Sequence, residues 1–325
     1  WEDMTIKKIG VVGAGVMGSQ IAGIMGFNGF DVVLKDINQE FLDNGISKIR
    51  KSLEDLVKFH AGRSQKEIEK VEKNLGITLT SEQKNLVRDR YKPAVNDEVV
   101  EEVLGKIEPT TEWKKFSDVD IAIEATFEDI DVKKQVFQEM EKTCSTDAIL
   151  ASNTSTLLIT EIASVTNNPH RIMGIHFFNP PTRLPLVEVI PSIESSEKTV
   201  SDCINFLAEL KNHVSQLIPI KVKETPGFLV NRILLAMLDE AFACYEEGVA
   251  DTREIDRAMK SGAGHPLGPF ELADLIGIDI LHHIKESMTK MNGGNVASRP
   301  VQIIKRLYYA NRLGMKVGRG FYDYD

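Results

Sequence analysis

The first two thirds of the chain alternate short apolar runs with longer amphipathic stretches. The apolar runs have the length of buried strands, whereas the stretches between them carry apolar residues at helical spacing. Strands are predicted at residues 9–12, 32–34, 119–123, 148–151, 172–178, 186–190 and 217–222. Helices are predicted at about 21–28, 132–143 and 200–210. This alternation predicts an α/β fold with a mainly parallel, doubly wound sheet.

Two regions depart from that alternation. Residues from about 38 to 104 are highly charged and helical, and we expect them to form an inserted arm. Its predicted helices are a first one reaching Val57, a second over 65–74 and a third that Thr80 or Ser81 caps. From Pro226 the strand pattern ends, and helices are predicted at 229–245, 252–260, 269–275 and 301–313. We therefore predict an α/β domain at 1–223 and an all-α domain at 224–325.

A glycine-rich turn follows the first strand. Its pattern is Gly-x-Gly-x-x-Gly, and its residues are Gly13, Ala14, Gly15, Val16, Met17 and Gly18. The first glycine permits a tight turn, the second lets a pyrophosphate approach the backbone, and the third lets helix and strand pack closely. Asp36 ends the second strand, where a carboxylate accepts both ribose hydroxyls and repels a 2′-phosphate. The arrangement predicts a Rossmann-like domain that binds NAD rather than NADP.

Composition narrows the class of protein. The chain has 325 residues, 42% hydrophobic and 27% charged, which fits a folded protein of two domains. A formal net charge of −9 argues against a nucleic-acid partner. No apolar stretch approaches the length of a membrane span. Three scattered cysteines without metal-ligand spacing, and a start unlike a leader peptide, predict a cytoplasmic protein that needs no metal.

Candidate catalytic residues fall at the ends of the later strands, where ligands bind in open α/β sheets. Glu188 lies between valines in a buried strand, where an unpaired carboxylate would cost several kcal/mol. His176 lies in an apolar setting at the end of the preceding strand and is its expected partner. Such a pair fixes the imidazole tautomer and raises its proton affinity, as a general base requires. The alternative is a histidine that serves only the core.

The chain resembles the L-3-hydroxyacyl-CoA dehydrogenases over nearly its whole length. The motifs that carry the resemblance are residues 13–18, Asp36, 152–155, 176–180, 186–190, 226–232, 268–272 and 318–322. The resemblance implies NAD-dependent oxidation of the 3-hydroxyl of an acyl-CoA, with His176 as the base that removes the hydroxyl proton. Glu188 would orient His176 and stabilise its charge.

The resemblance also implies roles for further residues. Ser155 and Asn231 would position the substrate hydroxyl and the thioester carbonyl, because a base needs a fixed near-attack geometry. Residues that match family positions on the cofactor side are Ser155, Glu128, Lys133, Asn179 and Lys316. The two lysines could instead be ordinary surface residues. Ser155 could be a helix cap, and Asn231 a helix-surface amide.

The helical arm lies over CoA in the family, but here it is longer. Ser52 matches a serine that contacts CoA, whereas Phe59 occupies the place of the expected lysine and Lys58 lies beside it. Contact of Ser52 and Lys58 with CoA is therefore a hypothesis. A single all-α half with surplus apolar residues predicts a homodimer through that half, as in the family.

Three functions are consistent with the sequence. The first is a reversible (S)-3-hydroxyacyl-CoA dehydrogenase for short or medium acyl chains such as 3-hydroxybutyryl-CoA. The second is a related dehydrogenase acting on a free β-hydroxy acid, a group that typically uses a lysine base. The third is a non-catalytic protein that binds NADH. His176 and Glu188 favour the first.

Overall fold

The structure is a computed structural model that describes residues 6–91, 95–291 and 302–324. It forms two compact units. The first comprises the chain up to Thr154 together with Ile159–Val222, and the second comprises Ser155–Leu158 and the chain from Lys223 onward. The four residues Ser155–Leu158 thus belong to the second unit, although the sequence places them within the α/β half.

The first unit is built on one sheet of eight strands in the order β3-β2-β1-β4-β5-β6-β7-β8. The strands are β1 (Lys8–Val12), β2 (Asp31–Lys35), β3 (Ile107–Thr110), β4 (Ile121–Glu124), β5 (Ile149–Ser152), β6 (Ile172–Phe177), β7 (Leu186–Pro191) and β8 (Ile218–Lys221). All neighbouring strands are parallel except β6 and β7, which pair antiparallel. The predicted mainly parallel, doubly wound sheet is confirmed.

Helices flank this sheet and complete the core of the first unit. They are α1 (Val16–Phe27), α2 (Gln39–Leu75), α3 (Ser81–Arg90), α4 (Asp97–Gly105), α5 (Ile130–Thr143), α6 (Ile159–Ala163) and α7 (Glu197–Glu209). The central strands are buried along nearly their whole length, as expected for a sheet covered on both faces. Strand β3 was not predicted, because its buried ends enclose two exposed residues, Glu108 and Pro109, and no alternation is visible.

The arm differs from its prediction in one respect. Helix α2 is continuous for 37 residues, so the predicted break before residue 65 is wrong. Gly62 weakens helix propensity by about 1 kcal/mol relative to alanine but does not end the helix. The predicted cap of α3 is confirmed, since Thr80 and Gln83 form a capping box. Near its start, α2 packs on Ala14, where a side chain at Gly45 would collide.

The second unit is helical. Its helices are α8 (Val230–Glu246), α9 (Thr252–Gly262), α10 (Pro269–Ile276), α11 (Ile278–Met291) and α12 (Ile303–Tyr309). Helix α11 was not predicted, and Val301, the predicted start of the last helix, lies outside the described residues. The rings of Phe242, Phe270 and Phe321 pack together at the centre of this unit, with centroids 4.7–5.5 Å apart.

Two buried aspartates hold the second unit together. The Asp256 carboxylate accepts hydrogen bonds from the backbone N–H groups of Phe270 and Glu271, at the start of α10. The Asp274 carboxylate accepts from the backbone N–H groups of Phe321 and Tyr322 and from the hydroxyl of Tyr324. These bonds explain the glycines of the two C-terminal motifs, because a Cβ at Gly268 or Gly320 would overlap an aspartate carboxylate.

Candidate active site

The glycine turn after β1 leaves space on one side only. Gly13 has a φ of +103°, and a Cβ there would lie 2.5 Å from the carbonyl oxygen of Ala125. A Cβ at Gly18 would lie 1.8 Å from the carbonyl oxygen of Gly13, so helix α1 can approach the turn only with glycine there. A Cβ at Gly15 would meet no atom within 4 Å. The turn therefore has an open face at Gly15, as a bound pyrophosphate requires.

Asp36 lies directly beside this turn. Its Oδ2 accepts a hydrogen bond of 2.6 Å from the backbone N–H of Ala14, and its Oδ1 accepts one of 2.7 Å from Ile37. Both bonds fix the carboxylate at the end of β2, on the edge where the turn opens. This geometry fits the adenosine ribose of NAD, whose hydroxyls would donate to the carboxylate, and it disfavours a 2′-phosphate.

Three apolar side chains around the same edge are exposed. Val16 is 53% exposed, Ile37 78% and Phe127 83%. Phe127 is two residues beyond Ala125, whose backbone packs on Gly13. Ile37 and Phe127 were not predicted from the sequence as site residues. Ile37 directly follows Asp36 and Phe127 follows the end of β4, so a position next to a predicted strand end was the available signal.

His176 and Glu188 are in contact, as predicted. They face each other in the antiparallel ladder of β6 and β7, with the His176 Nδ1 2.8 Å from the Glu188 Oε2. Glu188 is fully buried and His176 is 5% exposed. Because an ionised carboxylate can only accept, Nδ1–H is the donor in this contact, and a neutral imidazole then carries its lone pair on Nε2. The ring of Phe178 packs against the imidazole at a centroid distance of 4.5 Å.

A hydrogen bond joins the end of β5 to the end of β6, the strand that carries His176. The side-chain oxygen of Asn153 accepts a hydrogen bond of 2.9 Å from the backbone N–H of Phe177, which ties the end of β5 to the end of β6. Asn179 is exposed and precedes a cis peptide bond to Pro180. Its predicted contact with the cofactor stays a prediction.

Lys133 is not a surface lysine. Its side chain is 1% exposed, and its Nζ lies 2.8 Å from Glu124 Oε1 and 3.3 Å from Glu128 Oε2. Glu128 also accepts a hydrogen bond of 2.6 Å from the hydroxyl of Thr154. Lys133 therefore contacts Glu128 directly and links it to Glu124, a residue that was not predicted from the sequence as part of the site. Glu124 was detectable as a charged residue at the end of a buried strand, like Glu188.

Three further predicted site residues belong to the second unit. Ser155 is half-buried, and Asn231 is half-buried in the first turn of α8. Lys316 forms an ion pair with Asp279 on α11, with its Nζ 2.6 Å from each carboxylate oxygen. This ion pair gives Lys316 a structural partner, which is consistent with the alternative that it is an ordinary surface lysine. The predicted roles of all three stay predictions.

The two predicted CoA residues lie on α2. Ser52 is half-buried and Lys58 is exposed, with its Nζ 3.9 Å from Asp55. On a helix of 3.6 residues per turn, residues six apart point about 120° away from each other. Residues seven apart share a face, so Phe59 follows Ser52 along the helix and Lys58 does not. Joint contact of Ser52 and Lys58 with one CoA group would need their side chains to reach around the helix.

The described residues offer little chemistry elsewhere. A hollow of about 660 Å³ in the second unit is lined by Arg253, Asp256, Lys260, Pro266, Leu267, Glu271, Met315, Tyr322 and Tyr324. Among its charged groups, Lys260 pairs with Glu271 at 2.6 Å, and Asp256 bonds the backbone N–H groups of Phe270 and Glu271. Within the described ranges, no cluster of three or more His, Cys, Asp or Glu side chains could hold a metal ion. No helix of the described chain is long and apolar enough to cross a membrane.

A doubly wound sheet whose first turn opens at Gly15 beside Asp36 defines the class of protein as one with a dinucleotide-binding domain of the Rossmann type. The family profile described as "3-hydroxyacyl-CoA dehydrogenase, NAD binding domain" matches residues 8–91 and 66–224, and the profile of the C-terminal domain matches residues 227–324. The chain therefore belongs to the 3-hydroxyacyl-CoA dehydrogenase family. The two N-terminal matches overlap at residues 66–91, within the arm that is expected to be longer than in the family.

Individual relatives agree with this assignment. The chain is 37% identical to a 3-hydroxybutyryl-CoA dehydrogenase of Clostridioides difficile, over 98% of this chain and 99% of the relative. It is 35% identical to the mitochondrial hydroxyacyl-coenzyme A dehydrogenase of Homo sapiens, over 98% of this chain and 91% of the relative. The crystal structure of (S)-3-hydroxybutyryl-CoA dehydrogenase from Ralstonia eutropha superposes with a TM-score of 0.82 at 32% identity, covering 99% and 100% of the two chains.

Proposed function

We propose that the protein oxidises (S)-3-hydroxyacyl-CoA to 3-oxoacyl-CoA, reversibly, with His176 as the general base. A short or medium acyl chain such as 3-hydroxybutyryl is the proposed substrate, in line with the names of its relatives. The observation that carries the proposal is the contact between the His176 imidazole and the buried Glu188 carboxylate. Stability does not explain a buried carboxylate at this position, because an apolar residue of similar volume is often at least as stable there.

The proposed reaction removes a proton and a hydride from the substrate. His176 accepts the hydroxyl proton at Nε2, and the C–H electrons at C3 leave as the carbonyl forms. NAD, when bound, supplies the acceptor for that hydride. Glu188 holds the ring by accepting from Nδ1–H and stabilises the imidazolium that proton uptake creates. In the reverse direction His176 returns the proton to the alcohol oxygen.

The remaining residues receive supporting roles in this proposal. Ser155 and Asn231 orient the hydroxyl and the thioester carbonyl, Glu128, Lys133, Asn179 and Lys316 serve the cofactor side, and Ser52 and Lys58 contact CoA. The proposed partner is a second copy through the helical unit. Leu229 and Ile233, exposed by 43% and 63% one turn apart at the start of α8, support it. The proposed cytoplasmic location agrees with the three free cysteines.

A substrate comparison separates the three candidate functions. The loss of NADH absorbance is followed with acetoacetyl-CoA and, separately, with free acetoacetate. We expect turnover of the thioester only. Turnover of the free acid would select a β-hydroxy acid dehydrogenase, and NADH binding without turnover of either would select the non-catalytic protein.

The His176→Ala variant tests the proposed base. We expect turnover of acetoacetyl-CoA to fall by about 100- to 10,000-fold, as for loss of a positioned proton acceptor. NADH affinity, measured by fluorescence titration, should stay within about twofold, because His176 does not build the glycine turn. His170→Ala, which removes an exposed imidazole six residues earlier, is the matched control. Near-native turnover in His176→Ala would rule out the assigned role.

A further inference from the structure

The end of β4 carries a buried charged group to which the proposed reaction gives no task. Glu124 is fully buried and accepts four hydrogen bonds. Its Oε1 accepts from the backbone N–H and hydroxyl of Thr126, at 2.6 and 2.7 Å, and from the Nζ of Lys133 at 2.8 Å. Its Oε2 accepts from the hydroxyl of Ser152 at 2.6 Å.

Stability alone does not account for this pair. Burying a carboxylate and an ammonium together costs desolvation energy that their attraction barely offsets, and apolar residues of similar volume are often at least as stable. The buried ion pair of Glu124 and Lys133 is therefore better explained by a role in orienting a neighbouring side chain. Lys133 leads from Glu124 directly to Glu128, whose side chain is 36% exposed.

The position of the pair in the sheet identifies what is oriented. Strands β1 and β4 are neighbours, and the strand order reverses between them, which is where doubly wound folds bind a dinucleotide. Ala125, the residue after Glu124, packs on Gly13 of the turn. Since Asp36 and β2 belong to the adenosine half, the ends of β4 and β5 belong to the nicotinamide half.

We propose that Glu124 is a positioning residue for the cofactor. It fixes the buried ammonium of Lys133, and Lys133 together with Thr154 fixes the carboxylate of Glu128 to accept a hydrogen bond from the ribose on the nicotinamide side. This inference rests on the cofactor role proposed above for Glu128.

The test measures NAD affinity by calorimetric titration and thermal stability in the same variants. In Glu124→Gln we expect the dissociation constant for NAD to rise about 10-fold, since one charged hydrogen bond is then poorly oriented. Glu141→Gln is the matched control, because Glu141 lies on the same helix as Lys133 and binds the backbone N–H groups of Asn167 and Asn168. It should lose less stability than Glu124→Gln, because it leaves no buried charge unpaired, and it should keep its NAD affinity within about twofold.

The double variant Glu124→Gln with Lys133→Met separates positioning from stability. Removing the ammonium as well abolishes the unpaired buried charge, so the melting temperature should recover relative to Glu124→Gln. NAD affinity should remain low. Affinity within about twofold of the unaltered protein in Glu124→Gln, or affinity that recovers together with stability in the double variant, overturns the inference.

Glu128→Gln distinguishes failure of this inference from failure of the role on which it rests. If Glu128→Gln weakens NAD binding and Glu124→Gln does not, only the positioning by Glu124 is wrong. If Glu128→Gln leaves NAD binding unchanged, the proposed ribose contact is wrong, and any effect of Glu124→Gln does not pass through Glu128.

Discussion

The two units of the protein both bury carboxylates, but the carboxylates of the two units bind different partners. In the first unit, Glu188 binds an imidazole and Glu124 binds an ammonium. In the second unit, Asp256 and Asp274 bind backbone N–H groups and tyrosine hydroxyls. Burial in an apolar setting is common to all four, so burial alone does not separate a catalytic carboxylate from a structural one.

The nature of the partner does separate them. A backbone N–H cannot change its charge, so the bonds of Asp274 can only stabilise one conformation. An imidazole changes its charge when it takes up a proton, so the bond of Glu188 can stabilise a reaction intermediate. The motif at residues 318–322 is thus explained by packing, whereas the motif at 176–180 offers chemistry. The following predictions test this division.

The largest effect is expected for Glu188→Gln. The substitution keeps the shape of the side chain but removes the charge that stabilises the imidazolium. We expect kcat for acetoacetyl-CoA to fall about 100-fold or more, while NADH affinity changes little. Glu194→Gln, at an exposed glutamate shortly after β7, is the control and should keep its kcat. A kcat within about twofold of the unaltered protein would mean that Glu188 is structural, like Asp274.

The second largest effect is expected on stability, for a substitution that disturbs the hydrogen bonds of Asp274 in the second unit. A Cβ at Gly320 would lie 1.9 Å from Asp274 Oδ1, so Gly320→Ala displaces the buried carboxylate from its partners. We expect the free energy of unfolding in urea to fall by about 3 kcal/mol. In Gly262→Ala the new Cβ meets nothing within 4 Å, and stability should be unchanged or higher. Equal stability of the two variants would contradict the structural role of Asp274.

A third prediction concerns His213, a half-buried histidine whose side chain contacts neither a carboxylate nor a backbone carbonyl at Nε2 in the described part of the chain. Burial, together with the nearby His60, lowers the pKa of His213 from 6.5 to about 4. Its Nε2 has no hydrogen-bond partner among the described residues, and its ring packs edge-on against Phe27 at 5.3 Å. The unfolded chain binds a proton near pH 6.5 and the folded chain only near pH 4. Stability is therefore full above the first value and decreases as the pH falls through this window.

His213→Phe removes this titration and keeps the ring contact. Between about pH 7.5 and about pH 5, the unaltered protein should lose about 2 kcal/mol more unfolding free energy than the variant. Urea unfolding at both pH values measures the difference. Equal losses in the two proteins would show that His213 is protonated, or bound to a polar partner, in the folded state.

Much of the fold was predictable because the signals were local. The glycine turn, the apolar strands and the Thr80 cap each depend on residues within a few positions of each other. Strand β3 was missed because its ladder with β2, rather than an apolar pattern, makes it a strand. Helix α2 was divided wrongly near Gly62, which lowers local helix propensity. Most buried residues of α2 lie in its first half, so the sequence around Gly62 lacks the apolar pattern that would show the helix to be continuous.

The candidate site was predictable where one residue alone was anomalous. Glu188 between two valines required a partner, and His176 was the nearest candidate. Glu124 was equally anomalous at the end of β4, but its partners lie on three separate segments. Thr126 follows directly, Lys133 comes from the next helix and Ser152 from the next strand. Such a network depends on how the segments pack, which no short sequence window contains.

The antiparallel pairing of β6 and β7 limits how the chain can vary. Side chains alternate between the two faces of a sheet, so adding or deleting one residue within either strand would turn His176 or Glu188 to the opposite face. Residues 181–185, beyond the motif that contains Asn179, are outside the ladder and can change in length without this penalty. Insertions and deletions should therefore be tolerated at these residues, whereas within either strand they should abolish the proposed activity.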